Sequence, residues 1–287
     1  MNMRSPLTAN RLSTGRIALV VILSIGGLIL LLPLVWMVSS SLKPEFDIFV
    51  FPPEIIPEPL FWDNYREIFV RAPLARQYFN SIYIGVLNVA GTVAVSAMAG
   101  YSLAKLRFPG RFLVLPLLLC ALLLPTEVII VPLYALMSRF GWIGTHLPLI
   151  VEPVFGAPAV VGTFLMRQFF LSIPTEIEDA GRVDGLGTLG VFLRVALPLA
   201  RPALATLALL TFLASWNAFL EPLVFTAGNK ELLTLPVALD QYTDVDGTPF
   251  YALQMASTTL SILPVLMVFL LAQRQIIEGI ARSGLKG

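Results

Sequence analysis

The chain has 287 residues, 57% of them hydrophobic and only 13% charged, with a formal net charge of +1 and a mean hydropathy of +0.83. Soluble domains carry roughly a quarter charged residues, so this composition cannot be wrapped in a polar surface. The near-neutral balance excludes the basic footprint of a nucleic-acid binder, and one cysteine (Cys120) with one histidine (His146) leaves no set for a disulfide, a cysteine zinc site or His-dependent catalysis.

A bilayer core of roughly 30 Å calls for about 20 apolar residues in a helix. Six runs meet that length, at 17–40, 80–103, 112–137, 146–171, 200–223 and 255–277. They are too long and too continuously apolar for barrel strands, and hydrocarbon offers backbone groups no partner outside a helix. The expected fold is therefore an all-α membrane protein with six transmembrane helices. Its membrane domain spans 17–277, between an N-terminal segment at 1–16 and a tail at 278–287.

The first span follows Arg4, Arg11 and Arg16 and precedes Ser39, Ser40 and Ser41, which is the outline of a secretory signal. Its apolar stretch exceeds the roughly 7–15 residues of such a signal, so it is expected to stay as a helix. The next segment, 41–79, is acidic and holds Pro44, Pro52, Pro53, Pro57 and Pro59. That suits an ordered, mostly irregular stretch on a membrane surface, either facing a partner or serving as a passive linker.

In the second span, Gly91, Ala94, Ala97 and Gly100 share a helical spacing that lets neighbouring helices approach closely. The third span contains Glu127 beside Pro125, and Glu152 lies in the fourth. Carboxylates at membrane depth face a cavity or a partner. Arg167 and Gln168 near the end of the fourth span suit an interfacial anchor.

Residues 172–199, SIPTEIEDAGRVDGLGTLGVFLRVALPL, form the longest connection on that side. Pro174 and the spacing of Thr175 to Glu178 predict a helix start with a capping box. Glu176, Glu178 and Asp179 place negative charge at the positive end of the helix dipole. A short helix over 174–183 is expected, turned by Asp184-Gly185 and Gly187. A second amphipathic piece, Val191 to Leu197, leads to Pro198 and Pro202 at the entry to the fifth span, which carries Trp216, Asn217 and Glu221.

Lys and Arg near span ends set orientation. With the N-terminus inside, the inner segments hold Arg4, Arg11, Arg16, Lys105, Arg107, Arg111, Arg167, Arg182, Arg194, Arg201, Arg274, Arg282 and Lys286. The outer ones hold Lys43, Arg66, Arg71, Arg76, Arg139 and Lys230. That bias of about two to one predicts both termini, and residues 172–199, on the cytoplasmic side.

The 172–199 segment resembles the EAA loop of bacterial ABC importer permeases, E-A-A-x-x-D-G with a later L-P, through Asp179, Ala180, Gly181, Asp184, Gly185, Leu197 and Pro198. The family's lead Glu stands here as Asp179 and its second Ala as Gly181. Resemblance to the carbohydrate branch, of the maltose-transporter kind, extends over SSSLKPEFDIF (39–49), DNY (63–65), LRFPGR (106–111), LMRQFF (165–170), WNAF (216–219), LTLPVAL (233–239) and GLKG (284–287).

The resemblance implies a six-span permease fold whose cytoplasmic coupling helix docks into a groove of a separate ATPase subunit. Docking would fall to Glu178, Asp179, Ala180 and Gly181, with Asp184 and Gly185 as the orienting turn and Leu197 and Pro198 closing the motif. It further implies a homologous second permease, two ATPase subunits and an extracytoplasmic solute-binding protein. The chain would move a sugar by alternating access across a bacterial or archaeal inner membrane. Glycerol-phosphate-type or amino-sugar solutes are the alternative cargo, and a secondary transporter is a remote one. No G-x-x-x-x-G-K-S/T stretch occurs to cradle nucleotide phosphates, so ATP and Mg are expected on the partner ATPase, with no cofactor, metal or catalysis on this chain.

Within that reading Glu127, the deepest carboxylate, either lines a pathway for a polyhydroxylated solute or pairs inside the helix bundle. Trp216 and Asn217 could cover and hydrogen-bond a sugar ring. The same two side chains also join transmembrane helices.

Overall fold

A computed structural model of the chain describes residues 14–243 and 246–284, without the side chains of 14, 16 and 274–284. The expected charges at Arg4, Arg11 and Lys286, and the last three residues of GLKG, lie outside the described residues. Fourteen α-helices, with one 3-10 turn and one π-turn, account for nearly all the ordered backbone described. Among the described residues the only β pairing is an isolated bridge between Thr243 and Pro249.

In chain order the helices are α1 (Thr14–Ser41), α2 (Asp63–Arg71), α3 (Leu74–Lys105), α4 (Arg111–Ala121), α5 (Thr126–Arg139), α6 (Leu147–Phe155) and α7 (Ala157–Leu171). They continue with α8 (Thr175–Val183), α9 (Thr188–Val191), α10 (Leu197–Leu199), α11 (Arg201–Trp216), α12 (Leu220–Phe225), α13 (Leu235–Leu239) and α14 (Tyr251–Gly284). The π-turn, Phe192–Ala196, joins α9 to α10. Four stretches are long and apolar enough to cross a membrane: Ile17–Ser41, Leu74–Lys105, Leu147–Leu171 and Tyr251–Gln273. Two bent pairs raise that to six if each is one span: α4 with α5, bent by 101°, and Thr188–Leu199 with α11, bent by 76°.

The expected third span, 112–137, is thus not one straight helix. Pro125 has extended backbone (φ −62°, ψ 141°) and no N–H, so helix cannot run through it, and α5 starts afresh at Thr126. The fifth span likewise stops at Trp216 rather than 223, and the chain restarts at Leu220. In the segment 41–79, Asp63–Arg71 forms α2 where mostly irregular chain is expected, and α3 begins at Leu74, not 80.

The long helix α3 is the hub, packed against α7, α11 and α6. Its buried face is polar at a spacing of four. Asn88 Nδ2 donates to Leu149 O (3.1 Å), Thr92 Oγ1 to Pro153 O (3.2 Å) and Ser96 Oγ to Ala159 O (3.1 Å). The reason lies in the facing helix: Pro153 has no N–H to give Leu149 O, and Gly156 interrupts the next turn, so α3 supplies donors to carbonyls near the break. Close approach is enforced at Gly100, where a Cβ would stand 2.7 Å from Met166 Cβ and 2.8 Å from Arg167 N.

Three apolar clusters flank this hub. Tyr101, Met166, Phe170, Phe192 and Leu207 form one, near the α8 end of the bundle. Ile68, Leu74, Phe212, Trp216, Tyr242 and Leu253 form a second, and Ile84, Met137, Leu149 and Phe225 a third. By contrast α1 touches mainly α14 and leaves its apolar side chains exposed through the whole membrane-length window. Helices that are apolar all round and uncovered by the chain itself belong in lipid or against another membrane subunit.

Glu45 joins the segment after α1 to the last helix: its Oε1 accepts from Tyr251 N and its Oε2 from Ala252 N, each at 2.8 Å. These are N–H groups of the first turn of α14, which no helical carbonyl can satisfy.

Candidate functional site

The first constellation is α8 and its supports. Pro174 precedes the helix with extended backbone, and no side chain caps the first turn, so the expected capping box does not form. Thr175 is already helical, and Glu178 is turned into the protein, 1% exposed. Its Oε1 lies 3.0 Å from Lys105 Nζ, at the end of α3. Tyr101 OH donates to Oε2 over 3.5 Å, and Lys105 Nζ also donates to Ile173 O over 2.7 Å. Tyr101 is fixed in turn by edge contact with Phe170 (5.4 Å) and packing on Phe192 (4.9 Å). A carboxylate expected on a docking surface is therefore occupied within the chain.

Gly181 is buried on the same face, and a Cβ there would make ordinary contacts, 3.4 Å to Val195 and 3.5 Å to Leu186. The opposite face shows Glu176, Asp179, Ala180 and Val183 to the surroundings. Asp179 Oδ1 accepts from Arg182 NH1 at 2.8 Å. After Val183 the chain closes in a Schellman turn: Leu186 N donates to Gly181 O and Gly185 N to Arg182 O, both at 3.0 Å, with Gly185 left-handed at φ +88°. Asp184 is the last-turn cap, its N–H donating to Ala180 O. Leu197 is half-buried against the Tyr101 cluster, and Pro198 is exposed.

The second constellation is a cavity of 420 Å³ where three helix interruptions converge. Thr126 and Glu127 open α5 after the 101° bend, Pro153, Ala157 and Pro158 flank Gly156, and Asn217 to Phe219 separate α11 from α12. Irregular backbone at membrane depth is tolerated where it lines a cavity or is buried in protein. Glu152 and Glu221 join Glu127 in the lining. Glu127 thus sits in the first turn of a half-helix rather than midway along a straight span.

Asn217 lines the cavity, its Nδ2 donating to Leu213 O at 2.8 Å. Trp216 does not. It is 4% exposed, stacked on Phe212 at 5.6 Å and edge-on to Tyr78 at 6.1 Å, so the helix-joining reading describes it. Sequence reasoning missed Lys105 and Tyr101 as supports of α8, and Asn88, Ser215 and Thr234 as polar lining. The polar residues at 88, 92 and 96, four apart in an apolar run, were the available signal. His146 is fully engaged, with Tyr83 OH at Nδ1 and Leu232 O 2.6 Å from Nε2. Among the described residues no group of three His, Cys, Asp or Glu could hold a metal ion.

A helical bundle of membrane-length spans, with a polar cavity at its helix breaks and a separately anchored surface helix, defines a membrane permease. The chain belongs to the family of binding-protein-dependent transport system inner membrane components, which it matches over residues 93–279. It is 35% identical to the arabinooligosaccharides transport system permease protein AraQ of Halalkalibacterium halodurans, over 89% of this chain and 91% of that one. To the sn-glycerol-3-phosphate transport system permease protein UgpE of Yersinia enterocolitica it is 32% identical, over 92% and 95%. The crystal structure of a bacterial ABC transporter involved in the import of the acidic polysaccharide alginate shares the fold, with a TM-score of 0.78 and 22% identity, covering 95% of this chain and 100% of that chain. The chain is thus a transport subunit of the ABC importer permeases.

Proposed function

We propose that this permease moves a sugar or sugar derivative inward by alternating access, paired with a homologous second permease and driven by two separate ATPase subunits. An extracytoplasmic binding protein would deliver the solute at the outer segments, 41–79 and 224–254. Both termini and α8 would face the cytoplasm, and ATP with Mg would bind only the ATPase, leaving this chain without catalysis.

The observation that carries the reading is the construction of α8. One face is fixed to α3 by the Glu178–Lys105 pair, one end is closed by the turn at Gly185, and Asp179 and Ala180 are left outward. A short helix held this rigidly can pass a displacement at its outer face to α3, the hub of the bundle. Closure of the ATPase pair would then swap an inward-facing for an outward-facing cavity as a rigid-body change between two packings.

The test is ATP-driven uptake by the whole complex in lipid vesicles. Asp179→Lys, on the exposed face, is expected to leave assembly intact and lower sugar-stimulated ATP turnover by at least about ten-fold, because reversing the charge turns an attractive contact into a like-charge juxtaposition. Wild-type turnover in that variant, or solute movement by this chain without ATPase, would refute the reading.

A further inference from the structure

The cavity at the helix breaks has a one-sided chemistry. Its ionisable lining consists of Glu127, Glu152 and Glu221, and no Lys, Arg or His is among the lining residues. Two buried oxygens add to this. Asn88 is 1% exposed and its Oδ1 has no hydrogen-bond partner among the described residues; the same holds for Thr234 Oγ1, in a residue 3% exposed. Both residues line the cavity.

The Asn88 amide cannot be turned to offer a donor instead. Its nitrogen is committed to Leu149 O at 3.1 Å, an atom that only accepts, and to Ser215 Oγ at 2.9 Å. The oxygen is left as a buried acceptor, and a buried acceptor without a donor is costly enough that such groups call for a ligand or water. The positive end of α5 does not reverse the balance, because Glu127 already occupies its first turn.

We propose that this cavity holds a saccharide free of anionic groups, accepting its O–H or N–H protons, and excludes solutes that carry carboxylate or phosphate. The inference rests on the reading of the chain as a sugar permease and names the charge class that its pathway admits. A neutral sugar brings one donor per hydroxyl to a wall of acceptors. An amine-bearing sugar brings more donors and a favourable charge. A uronate or phosphate brings negative charge against three carboxylates, with no cation among the lining residues to offset it.

Three disaccharides of similar size separate these cases: galactobiose, digalacturonate and diglucosamine. Equilibrium binding of each is measured on this chain with its partner permease and ATPase subunits in lipid nanodiscs, with no binding protein present. Galactobiose is expected to bind at least about ten-fold more tightly than digalacturonate, the scale of a like-charge juxtaposition, and diglucosamine at least as tightly as galactobiose. The combined Glu127→Gln, Glu152→Gln and Glu221→Gln variant should bring digalacturonate close to galactobiose. Glu127→Gln alone, at an exposed position, should narrow the gap in part and covers the case in which the triple variant does not assemble.

Equal binding of digalacturonate by the wild type overturns the proposal. So does an undiminished gap in these variants, rejection of diglucosamine along with the uronate, or no binding of any sugar, which would leave the cavity to water alone. Failure of the transport reading is seen separately, as absence of ATP-driven uptake of every solute by the complete system.

Discussion

Lys105, the last residue of α3, and Glu178, midway along α8, hold their charges 3.0 Å apart with 10% and 1% of their side chains exposed. Removing one member of such a pair strands the other. Lys105→Met is expected to destabilise the protein by about 3–5 kcal/mol, whereas the double replacement Lys105→Met, Glu178→Met should recover most of that loss. Thermal unfolding of the two single variants and the double one measures the coupling. Additive losses would show that the pair does not hold α8.

Gly181 and Gly185 are four residues apart and should respond oppositely to alanine. At Gly185 the backbone is left-handed, φ +88°, so Gly185→Ala should cost about 1 kcal/mol or more and loosen the end of α8. Gly181 is helical and has room for a Cβ, so Gly181→Ala should stabilise by up to about 1 kcal/mol. Amide hydrogen exchange of residues 175–186 reports both changes.

Trp216 and Asn217 are neighbours with different surroundings. Trp216→Ala removes a stacked, buried indole and should cost about 3–5 kcal/mol. Asn217→Ala, at an exposed cavity position, should leave the unfolding temperature within a few degrees of wild type while changing solute affinity. Unfolding curves and sugar binding on the same two variants separate the roles. A stable Trp216→Ala protein with altered sugar binding would reverse the assignment.

Tyr242, in the segment between α13 and α14, donates its hydroxyl proton to Ile68 O at 3.0 Å, and burial pushes its pKa from 10.0 to about 12. The folded state therefore holds this proton more tightly than the unfolded chain does. Stability from this group is complete below pH 10 and is lost as pH rises from 10 towards 12. Tyr242→Phe should lower stability by about 1 kcal/mol at neutral pH and flatten the decline above pH 10. Unfolding midpoints of the two proteins between pH 8 and 11.5 test the sign.

The helical, membrane-embedded class follows from the apolar runs alone, since their length admits little else. What the runs could not convey is where they break. The stretch 112–137 reads as continuous because Pro125 in an apolar run is as compatible with a mild kink as with the 101° bend found there. The polar cavity at that bend is assembled from residues as far apart in sequence as Ile84 and Thr234, a contact order that local pattern does not encode. For α8, the acidic pattern and the Asp184-Gly185 turn were visible, yet the capping box was not formed. The direction of Glu178 is set by Lys105 and Tyr101, more than seventy residues earlier, and a local hydrogen bond loses to a buried ion pair. Asn88, Thr92 and Ser96 were legible as a period of four and were passed over because their acceptors, the carbonyls around Pro153 and Gly156, lie on another helix.

The carboxylate of Glu45 makes the two extremities of the described chain mechanically dependent on each other. Because it closes the opening turn of α14 from a position just after α1, replacing Glu45 by alanine would loosen the start of a helix about two hundred positions downstream. This carboxylate thus behaves as a latch whose release would be felt along the final helix.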